Sequence, residues 1–158
     1  MKRFLLTAIL LFPWPANVQA APPPPDKPFA AAADVSALLA RAKAENKPGD
    51  LSTSKLVVSA DGLPLMLEYR LGDRQAEPAI HPTMAELIQV VEGSCTFVLG
   101  GEVIGATPAK PAGTKTEGGV ALKLKPGDYV FVPANLPHWF TDVRQLAVVT
   151  LHIPVAPR

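Results

Sequence analysis

Two of the three histidines in this 158-residue chain are spaced to act together with an acidic residue. His81 is followed by four residues and then Glu86, and His138 lies much further along the chain, directly after Pro137. Two imidazoles and one carboxylate that meet form a facial set of ligands for a divalent first-row metal, with positions left for water, substrate or dioxygen. His81, Glu86 and His138 are therefore our candidate metal ligands. No catalytic residue independent of a metal can be named from the sequence.

Both candidate segments lie where a turn meets a strand. His81 precedes a turn at 82–84, and Glu86 opens the next stretch of apolar residues. His138 opens a different strand after a proline-containing turn at 133–137, so it can approach Glu86 from across a barrel. Because side chains alternate along a strand, an inward Glu86 or His138 predicts inward residues two and four positions further on. These residues are Ile88 and Val90 in the first strand, and Phe140 and Asp142 in the second.

The rest of the chain beyond residue 50 predicts an all-β domain at 50–158. Short stretches rich in Val, Leu, Phe and Tyr, such as "LPLMLEYRL", "ELIQVVEG", "CTFVLGG", "HWFTDV" and "LAVVTLHIPV", are separated by Gly, Pro and Asp turn signals. Many short strands with this punctuation are typical of an antiparallel sandwich or barrel. Residues 102–119 interrupt the pattern and predict a long loop that is either a lid over a site or mobile.

The first 50 residues predict an export signal and a single helix. Residues 1–20 combine a basic start, an apolar run and small residues before Ala20, which is typical of a cleaved signal peptide. A retained membrane anchor is the alternative, but the apolar run is too short to span a bilayer. We predict a Pro/Ala-rich tether at 21–33 and a short amphipathic helix at 34–48 with Asp34 as its N-cap. The mature protein would be periplasmic or secreted, without stable insertion into a membrane.

Charge and cysteine content exclude some functions. Loss of Lys2 and Arg3 with the signal leaves 13 of the 15 basic residues against 14 acidic ones. A nearly neutral chain without a basic stripe does not indicate a nucleic-acid partner. Cys95 is the single cysteine, so no disulfide within the chain stabilises the fold. We expect Cys95 to be a small buried hydrophobic residue and not a nucleophile.

The two candidate segments resemble the two sequence motifs of the cupin superfamily. The first motif has His-x-His, a Glu three or four residues later and a Gly seven residues after that; the second has Gly, Pro-x-Gly, His and Asn at fixed spacings. The matching positions here are His81, Glu86, Gly93, Gly127, Pro133 and His138. The resemblance implies a single antiparallel, jelly-roll-like β-barrel with a short N-terminal helix, and one divalent ion (Fe, Mn, Zn or Ni) held by His81, Glu86 and His138.

The departures from these motifs affect the expected site. Ala79 stands where the first His of the pair would be, so the resemblance leaves three ligands at most. Asn135 replaces a Gly, which is tolerable because Asn accepts left-handed backbone angles, and Asp142 replaces the final Asn. We expect His152, isolated in the apolar run "VVTLHIPV", to be a core residue. It could replace the missing ligand only if its strand delivers it to the same end of the barrel.

The resemblance leaves the function open between two main hypotheses. The first is an exported, metal-dependent protein acting on a small organic molecule by dioxygenase, isomerase or lyase chemistry. The second is a non-catalytic protein that binds or senses a small molecule with weak or no metal. A structural protein with vestigial histidines is a third hypothesis, and the resemblance also suggests a homodimer.

Overall fold

The computed structural model describes residues 26–72, 77–107 and 113–156. These residues form one helix followed by eight strands. In chain order the elements are α1 (Ala32–Glu45), β1 (Thr53–Ala60), β2 (Leu63–Arg70), β3 (Met84–Leu99), β4 (Glu102–Ile104), β5 (Lys115–Glu117), β6 (Val120–Leu124), β7 (Tyr129–Val132) and β8 (His138–Pro154).

Six of the strands form one antiparallel sheet in the order β1-β2-β8-β3-β6, with β7 also paired to β3. The predicted all-β, antiparallel, jelly-roll-like fold with a short N-terminal helix is confirmed. The hydrogen bonds among the described strands do not close into a continuous ring. The barrel shape comes instead from the bending of its two longest strands.

Strands β3 and β8 pair with each other from Met84↔Pro154 at one end to Leu99↔His138 at the other. The sequence predicted four shorter strands here, because Gly93 and the polar residues near 144 resemble turns. In the structure they are bends within two continuous strands. A straight strand of 16 residues would be roughly 50 Å long. The bends fold this long hairpin over, so that its two halves face each other.

The bend depends on unusual backbone angles in both strands. Gly93 has a φ of 78°, and a Cβ there would lie 2.3 Å from the carbonyl oxygen of Gln145. On β8, Asp142 and Gln145 have φ values of 49° and 46°. The ladder between β3 and β8 is irregular between Val90 and Thr96, which matches the effect of β-bulges on strand direction. The bend therefore requires glycine at position 93.

The main core lies between the two halves of the bent hairpin. Its buried residues are Ile88, Val90, Cys95, Phe97, Leu124, Val130, Val132, Phe140, Val143, Leu146 and Val148. A second cluster lies on the outer face of the sheet under the helix, where Ala42 packs with Leu67, Tyr69 and Ala147. Lys43 also donates to both oxygens of Glu92 at 2.6 and 2.7 Å, which adds an ion pair between α1 and β3.

The helix differs in its limits from the predicted range of 34–48. It begins at Ala32 with Ala31 as N-cap, and Asp34 lies in the first turn, where its carboxylate accepts a hydrogen bond from Ala31 N–H at 3.1 Å. It ends at Glu45 because Asn46 is extended. The predicted tether at 21–33 is not free throughout, since Lys27 pairs with Ser59 of β1. The predicted signal peptide at 1–20 lies outside the described residues.

The segment predicted as a loop at 102–119 contains a small antiparallel ribbon. Strands β4 and β5 pair through Glu102↔Glu117, Val103↔Thr116 and Ile104↔Lys115. Short alternating polar strands of this kind carry too weak a hydrophobic pattern to be recognised. Among the described residues, helix α1 is neither long nor apolar enough to cross a bilayer.

Candidate metal centre

Glu86 lies near the start of β3, where that strand pairs on both sides. It is opposite Val132 of β7 and His152 of β8. Its side chain is only 9% exposed, although the residue carries a carboxylate. Alternation then directs Ile88 and Val90 to the same inner face, and both are 1% exposed, as predicted. A buried acid at this position needs hydrogen-bond donors or a cation close by.

His138 reaches Glu86 from the opposite half of the hairpin. Its Nε2 lies 2.9 Å from Glu86 Oε2, and its Nδ1 lies 3.0 Å from the carbonyl oxygen of Leu136 in the preceding turn. The ring stacks on Phe97, with 5.8 Å between centroids and an interplanar angle of 30°. The imidazole is 5% exposed, so packing and the Leu136 carbonyl together fix its orientation.

His81 and His152 complete the group around Glu86. His152 Nε2 lies 3.4 Å from Glu86 Oε1. The ring of His81 lies 5.2 Å from that of His152 and 5.4 Å from that of His138, measured between centroids. The backbone of His81 is held by Asn135, whose N–H donates to the His81 carbonyl at 2.9 Å. We call His81, Glu86, His138 and His152 the histidine cluster.

The protonation of His138 is constrained by its neighbours. The Leu136 carbonyl can only accept a hydrogen bond, so Nδ1 carries a proton. In the neutral ring, Nε2 then presents a lone pair to Glu86 Oε2, and two lone pairs at 2.9 Å repel unless a proton or a cation lies between or beside them. Among the described residues, Glu86 Oε2 is buried without a well-aligned hydrogen bond. Ligating histidines commonly donate their other N–H to a carbonyl in this way.

The spacing of the donor atoms fits a metal ion. Two ligand atoms at right angles around an ion, each bound at roughly 2.1 Å, lie about 3 Å apart. The contacts of Glu86 with His138 (2.9 Å) and His152 (3.4 Å) are close to this value. One ligand atom from each of His81, Glu86 and His152 lies within 4.8 Å of the others, a group that does not include His138. Nitrogen and carboxylate donors of this kind suit Fe, Mn, Zn or Ni.

Electrostatics favour an ionised Glu86 and a neutral His81. Burial raises the pKa of Glu86, but the close contact with His138 Nε2 and the positive charge that His138, His152 and His81 carry when protonated outweigh burial, so the net shift is downward. Burial also lowers the pKa of His81; Glu86 opposes this effect, and His138 and His152 add to it. An ionised carboxylate beside a neutral imidazole is the state that a metal requires.

The cluster opens to solvent on one side. Glu86 and His138 are buried, whereas the His152 side chain is 33% exposed and His81 is half-buried. Beneath it lie Phe97, Ile88 and Val132, each no more than 2% exposed. A cleft of about 740 Å³ lies beside the His81 turn and is lined by Pro82, Thr83, Ala85, Phe131, Pro133, Ala134, Asn135, Val155 and Ala156. The cluster residues themselves do not line this cleft.

The structure brings all three predicted ligands together at one end of the fold. The prediction for His152 as a core residue is wrong: its ring lies beside Glu86. The strand register could have identified the position of His152. Glu86 and His152 are directly opposite in β3 and β8, so their side chains project from the same face. That register depends on how a long hairpin bends, which the sequence does not display.

Two other predicted residues have clear positions. Cys95 is buried, as expected, and burial raises the pKa of its thiol to about 11. Asp142 was expected to point inward with His138 and Phe140, and this was wrong. Its left-handed backbone interrupts the alternation, and its side chain is 68% exposed, where it accepts a hydrogen bond from Thr96 Oγ1 at 2.7 Å.

Comparison with known proteins identifies the fold by structure and not by sequence. No family model matches the chain, and no curated protein matches it. KdgF from Halomonas sp. superposes with a TM-score of 0.52 at 18% identity, covering 70% of this chain and 87% of that one. TT1209 from Thermus thermophilus gives 0.51 at 17% identity, covering 75% and 95%. The Fe(II) form of HppE gives 0.50 at 17% identity, covering 68% of this chain and 54% of that protein.

At these identities the likeness concerns architecture alone. The bent β3–β8 hairpin, the flanking antiparallel strands and the inward histidine cluster correspond to the arrangement that the sequence motifs implied. The structural neighbours are cupin-fold proteins. The chain described here therefore has the fold of the cupin superfamily.

Proposed function

We propose that this protein binds one divalent first-row metal ion in the histidine cluster and acts on a small organic molecule there. The observation that carries this proposal is the convergence of three imidazoles on one buried carboxylate, with contacts of 2.9 and 3.4 Å to its two oxygens. A structural role alone does not account for this convergence. A buried carboxylate oxygen next to a ring nitrogen costs free energy unless a proton or a cation lies between or beside them.

Some residues of the chain would hold the metal ion, and others would exclude water from it. Glu86 supplies negative charge in a water-poor position, and the Leu136 carbonyl orients His138. Phe97 and Ile88 form an apolar floor that excludes water from below, while the half-exposed His81 and His152 leave the other side open to a ligand. A bound metal supplies Lewis acidity, or dioxygen activation if it is iron.

Support for iron among the candidate metals comes from one structural neighbour. HppE was determined as an Fe(II) protein and shares the fold over 68% of this chain. The donor set of imidazole and carboxylate is compatible with Fe(II) and equally with Mn, Zn or Ni. Dioxygenase, isomerase and lyase chemistry all remain within the proposal.

The direct experiment is elemental analysis of protein purified without chelator, followed by titration of the metal-free protein with each candidate metal. We expect close to one equivalent of metal in the wild type and its loss in His81→Ala and His138→Ala. Asp142→Asn is the control, because Asp142 is an exposed carboxylate on the same strand as His138, and its substitution should leave the metal content unchanged. A wild type that holds no metal and binds none in titration would contradict the proposal.

A non-catalytic binder is the second candidate function. The observation favouring it is that Ala79, which pairs with His138, offers no ligand atom where the motif has a histidine, and the missing ligand lowers the expected metal affinity. Thermal unfolding with a library of small acids and sugars separates the two functions. Stabilisation of the metal-free protein by a ligand favours the binder, whereas stabilisation that requires metal favours the metal-dependent function.

We also propose that the protein is exported and that residues 1–20 are removed. The support is the order of basic, apolar and small residues in that segment. Expression of the full chain with a C-terminal tag, followed by N-terminal sequencing, should yield a product that begins at Ala21 in the periplasmic or extracellular fraction. An uncleaved product in the cytoplasmic fraction would contradict export.

A further inference from the structure

His152 is the only imidazole of the histidine cluster that lies outside the two cupin-like motifs. It is placed by β8, where it is directly opposite Glu86 of β3. Residues that face each other in an antiparallel pair project from the same side of the sheet, with their Cβ atoms about 5 Å apart. The two side chains therefore meet as a consequence of strand register, and not of a local turn.

The first motif lacks a ligand at Ala79, and the structure shows where that ligand would have been. Ala79 N–H donates to the His138 carbonyl at 2.7 Å, and His138 N–H donates to the Ala79 carbonyl at 3.0 Å. Residues that exchange both hydrogen bonds lie on the same face of an antiparallel pair. The Ala79 methyl group thus shares the inner face with the His138 ring but offers no donor atom.

We propose that His152 supplies the metal ligand that Ala79 lacks. This inference rests on the metal centre proposed above. The donor set would contain His81, Glu86, His138 and His152, with one imidazole contributed by the last strand instead of the segment before β3. The geometry supports this: His152 Nε2 lies 3.4 Å from Glu86 Oε1, and ligand atoms of His81, Glu86 and His152 lie within 4.8 Å of one another.

A core role does not account for His152 equally well. Its side chain is 33% exposed, and its Nε2 is directed at a carboxylate in an otherwise apolar stretch of β8. On the same face of β8, Val148 and Thr150 are each 1% exposed, so this face is packed up to the cluster and becomes partly exposed at His152. His152 is thus positioned for a ligand, at the edge of the packed core.

The test compares four proteins: the wild type, His152→Ala, His152→Gln and the double variant with Ala79→His and His152→Ala. Each is titrated with Zn²⁺ by calorimetry, and the visible absorption of the Co²⁺ form reports the ligand set. Loss of an outer-shell partner typically weakens metal affinity about 10–100-fold, so loss of a direct ligand should exceed that range in both single variants. The double variant should recover most of the affinity and the Co²⁺ spectrum of the wild type.

The outcomes separate this inference from the proposed function. A wild type that binds neither ion overturns the metal centre itself. A wild type that binds, with His152→Ala and His152→Gln binding equally well, leaves the metal centre standing and overturns the role of His152. Loss of affinity that Ala79→His does not restore overturns the replacement of Ala79. Circular dichroism of the metal-free variants distinguishes loss of a ligand from loss of the fold.

Discussion

The histidine cluster and the polar group of Thr96, Lys123 and Asp142 near the bend of the hairpin both include residues of β3 and β8 but differ in depth. Around Glu86, the side chains of Glu86 and His138 are 9% and 5% exposed. Around Asp142, which pairs with Lys123 at 3.3 Å, the two side chains are 68% and 79% exposed. The second group borders a groove of about 660 Å³ that Gly72, Ser94, Cys95, Thr96, Lys123, Leu124, Asp142, Val143 and Arg144 line.

Proximity of exposed charged groups is weaker evidence for a functional site than the joint burial of a carboxylate and ring nitrogens. Water satisfies Asp142 and Lys123 whether or not they pair, so their contact contributes little. Glu86 and the imidazoles have lost much of their hydration on burial. The free energy of burying them therefore depends on whether a proton or a cation lies between them. Ionisable groups that are buried together and have shifted pKa values are therefore the better candidates for a functional site.

The largest expected effect concerns the apolar floor that distinguishes the buried cluster. Phe97 is 0% exposed and contacts both His138 and Phe140. Phe97→Ala should lower the free energy of unfolding by about 3–5 kcal/mol, because it removes buried area and leaves a cavity. Urea denaturation measures this. Phe131→Ala is the matched control, since Phe131 is 55% exposed, and an equal loss in both variants would contradict a floor centred on Phe97.

A second prediction concerns the bend that brings His138 back to Glu86. Gly93→Ala should destabilise the fold by more than the roughly 1–2 kcal/mol of a left-handed alanine, because its Cβ would also meet the Gln145 carbonyl at 2.3 Å. Gly127→Ala is the control: Gly127 has a φ of 93° but no atom within 4 Å of the added Cβ. Thermal unfolding should rank Gly93→Ala well below Gly127→Ala. Equal melting temperatures would show that the bend tolerates a side chain.

The third prediction is that the metal-free protein loses stability as the pH falls. Glu86 and His81 both have a lower pKa in the folded state than their ordinary values of 4.5 and 6.5, so the unfolded state binds more protons in acid. The contribution of His81 should decline as the pH falls below about 6.5, and that of Glu86 as the pH falls through 4.5 toward its folded-state pKa. Urea denaturation between about pH 8 and pH 4 measures the trend.

In the same experiment, His81→Gln should weaken the dependence of stability on pH at the higher pH values, where His81 titrates. The decline at lower pH, which comes from Glu86, should remain. A stability that rises as the pH falls from about 7 to about 5 would contradict the electrostatic description of the cluster.

The smallest expected effect lies at the exposed group. Hydrogen bonding from Thr96, then from Lys123, and the charge of Lys123 lower the pKa of Asp142, yet the carboxylate is open to solvent. Lys123→Gln should therefore leave metal affinity unchanged and shift the melting temperature slightly, only at low ionic strength where exposed charges are not screened. A shift that persists in high salt, measured by differential scanning fluorimetry, would show that this ion pair is structurally important.

The all-β class could be predicted because strand patterns are local, and the meeting of His81 and Glu86 with the distant His138 was implied by the resemblance to the two cupin motifs. The sequence did not predict that Gly93 is a bend within one strand, since a turn and a bulge use the same glycine. The face of Asp142 and the position of His152 both follow from that bend. Each depends on register between residues far apart in the chain, which alternation within a single strand cannot specify.

The most direct test of the central claim is an anomalous difference map from a crystal of the metal-loaded protein. The account predicts one peak within roughly 2.0–2.2 Å of a Glu86 oxygen and of imidazole nitrogens in the histidine cluster. A map with no peak there, or with its strongest peak at the exposed group beside Asp142 and Lys123, would contradict it.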